Sequence, residues 1–127
     1  MRFPIFVLFA GLAFAGPGEA GADDPSMDQY VTCAVYYRML VGSFSSRYGR
    51  GLDAMADINR EKMDKAIKLG KAAAVHEHGQ ALADEKFNAA WADVLAVMTD
   101  EINRNYDNIS RIKYKYRNGC EKLIGPE

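Results

Sequence analysis

Few side chains in this sequence are placed for chemistry. The only two histidines stand in His76-Glu77-His78. Two imidazoles could ligate a metal, but on a helix positions i and i+2 point about 200° apart, so they converge only in a loop. A zinc site wants three or four ligands, and no second cluster of histidine or cysteine supplies them. His76 and His78 are therefore weak metal candidates, and a solvated turn accounts for them better. No CxxCH motif supports covalent haem. Met55, Met63 and Met98 could offer an axial sulfur, but methionines at helical spacing on an apolar face belong to a core. There is no GxSxG, HExxH or glycine-rich phosphate loop. Ser43, Ser45 and Ser46 have no base placed beside them by the sequence, and most carboxylates fall on polar helix faces, where solvation explains them. The pattern implies no catalytic residues and no cofactor.

What remains is recognition chemistry. Arg104, Arg111, Lys115 and Lys122 fall on one side of the C-terminal segment, interleaved with Tyr106, Tyr114 and Tyr116. Cations mixed with aromatics bind acidic protein surfaces or phosphate chains, although cations near a helix C-terminus also answer the helix dipole unaided. The stretch SFSSRYGRG reads as an exposed loop offering Phe44, Arg47, Tyr48 and Arg50, residue types that anchor interfaces. The two cysteines, Cys33 and Cys120, lie far apart in the chain.

The N-terminus bears on those cysteines. Arg2 precedes an apolar run from Phe3 to Ala15, and the small-residue patterns Ala13-Phe14-Ala15 and Ala20-Gly21-Ala22 follow. This is the three-part layout of a secretory signal peptide, read here as residues 1–22. The run is too short to span a membrane comfortably. Export to the periplasm or outside the cell favours a bridge between an even number of cysteines, so Cys33 and Cys120 are expected to be disulfide-bonded. Residues 23–127 are enough for one helical domain with a modest core. Removing the leader takes away one base and one acid, so the net charge of −1 is unchanged. That balance gives no bulk attraction to nucleic acid.

The elements that would position these residues read as helices. Ser26 caps the first, with Gln29 closing a capping box. Tyr30, Ala34, Tyr37, Val41 and Phe44 form its apolar face, and the helix is expected to fail near Gly42, where glycines and serines cluster. A second helix covers about 52–75, with Leu52, Met55, Met63, Ala66, Ile67, Gly70 and Ala74 on one face and Gly79 stopping the chain. From Ala81 onward, Phe87, Trp91, Val94, Met98, Ile102, Ile109, Ile112, Tyr116 and Cys120 keep one helical phase. Residues paired in an antiparallel hairpin share a midpoint, and that of Cys33 and Cys120 falls between His76 and Glu77.

The expected fold is thus all-α: a hairpin that doubles over, at the glycines of 42–51 and the asparagines of 102–111, into an up-down four-helix bundle stapled by one disulfide. If 102–111 stays helical, the alternative is an elongated hairpin that dimerises to cover its apolar stripe. The expected function is that of an exported, non-enzymatic binding protein: an inhibitor, immunity, chaperone-like or envelope accessory factor. Its partner would be a protein or a polyanionic envelope component, with no nucleic acid and no transmembrane segment in the mature chain, which would act as monomer or homodimer. The alternative is a carrier of a small ligand or metal, in the bundle core or at the His76/His78 turn.

Overall fold

The computed structural model describes residues 24–47 and 53–125; the expected signal segment, Tyr48, Arg50 and Leu52 lie outside the described residues, as do the side chains of Ser45, Ser46 and Arg47. The described chain forms four α-helices: α1 (Met27–Arg47), α2 (Asp53–His78), α3 (Gln80–Glu101) and α4 (Ser110–Ile124). A 3₁₀ turn, Tyr106–Asn108, precedes α4, and there is no strand among these residues. Among the described residues no helix is long and apolar enough to cross a membrane.

Helix α1 begins where its side chains satisfy its first amides. Gln29 N donates to Ser26 Oγ at 3.2 Å, and Ser26 N donates to Gln29 Oε1 at 2.8 Å, a reciprocal capping box. A third amide, Met27 N, donates to Glu77 Oε2 at 2.8 Å from the far end of α2. The helix is apolar on nearly every side, with Val31, Cys33 to Tyr37, Met39 and Leu40 all buried, as expected of the element at the centre of a core.

Contacts fix the helix directions. Lys62 of α2 sits 5.7 Å from the Tyr37 ring, while a Cβ at Gly70 would lie 3.1 Å from Tyr30, so α2 runs back along α1. The same point at Gly70 is 3.0 Å from the Phe87 ring, which brings α3 back along α2. Gly79 alone joins these two helices, at φ 87, a left-handed backbone that favours glycine. Helix α4 then descends antiparallel to α1: Tyr36 and Tyr116 stack with centroids 6.3 Å apart, and Cys33 is bonded to Cys120 with their Cα atoms 5.3 Å apart. The architecture is the up-down-up-down bundle with one disulfide staple.

The long apolar phase of the C-terminal half is buried as its spacing predicts: Phe87, Met98, Ile102, Ile109, Ile112 and Cys120 are core, and Trp91, Val94 and Tyr116 pack against it. Yet the helix breaks inside that phase. Asn103 and Arg104 adopt φ 54 and 57. Asn103 N donates to Asp100 O and Arg104 N to Thr99 O, both at 2.9 Å, the paired bonds of a Schellman cap. The elongated hairpin is excluded by this turn.

Two expectations are corrected. Helix α1 does not fail at Gly42 but continues to Arg47, and Phe44 is a core residue at 9% exposure rather than an anchor on an exposed loop. Burying Val41 and Phe44 outweighs the roughly 1 kcal/mol that glycine costs a helix interior. Gly42 serves a close approach instead: a Cβ there would meet Tyr106 Cζ at 2.8 Å and collide with its hydroxyl. Met55, expected on the buried face of α2, is 45% exposed.

Candidate functional site

The turn after α3 sends α4 back with one flank against the end of α3. That flank is engaged with the fold, although Lys115 keeps 60% of its side chain exposed. Lys115 Nζ and Tyr116 Oη both donate to the Glu101 carboxylate, Tyr116 at 2.8 Å, and Arg111 Nη1 donates to the Glu101 carbonyl at 3.3 Å. Burial first, then the hydrogen bond to Glu101, holds the Tyr116 hydroxyl above its ordinary pKa. The same carboxylate, through its hydrogen bond, raises Lys115. Of the cations expected to meet a partner, Arg111 and Lys115 thus clamp α4 to α3.

The free face lies around the next edge of α4. Tyr114 is 93% exposed, the most exposed large hydrophobic side chain among the described residues. Ser110, Lys113, Arg117 and Asn118 surround it and form a shallow groove of about 370 Å³. Lys113 and Arg117 have no ion-pair or hydrogen-bond partner among the described residues. Helix α4 carries five basic residues and one acid, so the local field is positive although the chain as a whole is nearly neutral. Tyr114 was legible in the sequence. Lys113 and Arg117 were not singled out, because choosing between the two flanks of α4 requires knowing where α3 ends.

Arg104 belongs to neither flank. It opens onto a pocket of about 280 Å³ between α1, the last turns of α3 and the 3₁₀ turn, with Arg38, Thr99 and Tyr106 as its other polar side chains and Met39, Leu95 and Ile102 as its apolar lining. One sequence signal marked Arg38: it is the only charge between Asp28 and Arg47.

His76 and His78 close α2 as part of the helix, so their rings diverge. Glu77 between them is engaged on α1, and no group of three or more His, Cys, Asp or Glu is placed to hold a metal among the described residues. His76 lines an open groove with Tyr30 and Leu69 at this end of the bundle.

Comparison of the chain with models of known families, with curated proteins and with solved structures finds no match.

Proposed function

We propose that this chain is an exported, non-enzymatic binding protein that recognises an acidic partner protein through the free face of α4. The observation that carries the reading is Tyr114: an aromatic ring almost wholly in water, between two unpaired cations, with no role in holding the fold. Aromatic and arginine side chains dominate the binding energy of interfaces, and a positive field steers acidic partners. Export is supported by the leader pattern of residues 1–22 and by the disulfide, which persists in oxidising compartments.

The test places a photo-crosslinking residue at position 114, and in a control at exposed Glu85 on α3, in cells of the native host. The reading expects one dominant adduct from position 114, absent from position 85. It should be lost when Lys113→Glu and Arg117→Glu are combined. Adducts common to both positions, or one indifferent to the charge reversal, would refute it.

A further inference from the structure

The pocket beside Arg104 rests on observations independent of the α4 face. Arg104 occupies left-handed backbone at φ 57. Asparagine tolerates that region, as Asn103 does one residue earlier, but a long side chain does so at a cost, and such strain collects where a site needs a particular group. Arg38 is the one cation on an otherwise apolar stretch of α1 and stays exposed there. Neither guanidinium has a hydrogen-bond or ion-pair partner among the described residues, although carboxylates are abundant elsewhere in the chain. Gly42 is part of the same construction. A Cβ built there lies 3.3 Å from Arg38 Nη1 and overlaps the Tyr106 hydroxyl, so the absence of that side chain lets the phenol and the guanidinium meet at one wall.

We propose that this pocket binds a small organic carboxylate with a short apolar chain or a single ring. Arg38 and Arg104 hold the carboxylate from two sides by charge-assisted bonds, of which guanidinium forms the bidentate kind. The hydroxyls of Thr99 and Tyr106 offer further donors to the same group. Met39 and Leu95 receive the apolar tail. At about 280 Å³ the space is at the small end of ligand sites, which run from about 300 to 1,000 Å³, so a short acid is the size of ligand that this open pocket can cover most fully. Two guanidiniums beside apolar walls favour an anionic ligand over a neutral one of the same size, because only the anion gains charge-assisted bonds.

Calorimetric or NMR titration of the purified, disulfide-bonded protein with hexanoate and with benzoate tests this. Hexanamide matches the chain without the charge, and inorganic phosphate supplies the charge without the chain. The proposal expects saturable binding of at least one acid below about 10 mM, and binding at least about tenfold weaker for hexanamide and for phosphate. Arg38→Gln and Arg104→Gly should each weaken acid binding by about tenfold or more, in proteins whose far-UV spectrum and melting show them folded. Arg104→Gly suits the left-handed backbone, so its loss of binding would not be a loss of fold. No saturable response to either acid overturns the proposal, as do equal affinity for hexanamide, equal or tighter binding of phosphate, and arginine variants that bind as the parent does.

Discussion

The bond between Cys33 and Cys120 closes a loop of 87 residues, most of the described chain. In the chain-entropy treatment, a cross-link over that length destabilises the unfolded ensemble by about 4.6 kcal/mol at 25 °C. Domains of this size are stable by only about 5–15 kcal/mol in total. Replacing both cysteines by alanine, so that no free thiol remains, should therefore remove a third or more of the stability and lower the midpoint by about 20 °C or more. The loss should be concentrated in α4. Apart from the bridge, that helix is held by Ile112 and Ile124 in the core, by Tyr116 and Leu123 packed against it, by Glu101, and by Lys65 Nζ, which donates to the Ile124 carbonyl at 2.7 Å. Helices α1 and α2, by contrast, pack along much of their length. Urea unfolding followed by circular dichroism gives the total, and native-state hydrogen exchange shows where it falls. A loss below about 1.5 kcal/mol, or amides of α4 as protected as those of α1 in the double variant, would refute the argument that the staple rather than packing seats α4.

Three further outcomes are expected. Arg104→Gly should leave stability unchanged or raise it by up to about 1 kcal/mol, because it relieves a left-handed arginine; a loss above about 1 kcal/mol on urea unfolding would mean that the side chain supports the fold. Gly42→Ala should cost about 1–3 kcal/mol by driving out the Tyr106 ring, and adding Tyr106→Ala should make the two losses clearly less than additive; full additivity would show that the two positions do not touch. Tyr116 and Lys115 both have pKa values raised in the folded state. Their contribution is present below the unfolded values near 10 and disappears as pH rises through the higher folded ones, so melting temperature should fall above about pH 10. Glu101→Gln should flatten that fall, and an unchanged alkaline profile in this variant would count against the Glu101 clamp.

Particular residues show what the sequence could and could not disclose. The capping box at Ser26 and Gln29, the stop at Gly79 and the disulfide were readable because each depends on local residue types or on compartment. The midpoint of the cysteine pair placed the central turn within three residues of Gly79, since antiparallel helices keep their register. Asn103 and Asn105 marked the second turn, although the apolar phase ran through it. That phase survives because Ile102 and Ile109, seven residues apart, are buried on both sides of the break. Gly42 misled. As a helix breaker it would end α1, but its missing side chain makes room for Tyr106, 64 positions away, and no local pattern encodes such a contact. On the cationic face the hydrogen bonds made within the chain were equally hidden from local pattern. Arg111 and Lys115 look free on a helical wheel and are bound because the Schellman turn aims them at Glu101.

Both ends of the bundle are fastened, the turn at 102–109 by Glu101 and by Asn108 on the Ile102 carbonyl, yet the exposed cations and the left-handed backbone gather at that turn. Around the start of α1 and the end of α4, polar groups have partners: Met27 N on Glu77, the Ile124 carbonyl on Lys65, Cys33 on Cys120. Around the turn at 102–109 lie the left-handed Arg104, the unpaired Arg38 and, one helical turn into α4, Lys113 and Tyr114. Left-handed backbone at a long side chain destabilises a small domain, and this one carries it beside a covalent bond that stabilises the fold by about 4–5 kcal/mol. The α4 face lies wholly on the segment that the bond is argued to seat, whereas the pocket is lined from α1 and α3 as well as from residues 102–106. Reduction should therefore loosen the α4 face before the pocket, an order that hydrogen exchange on the reduced protein can read.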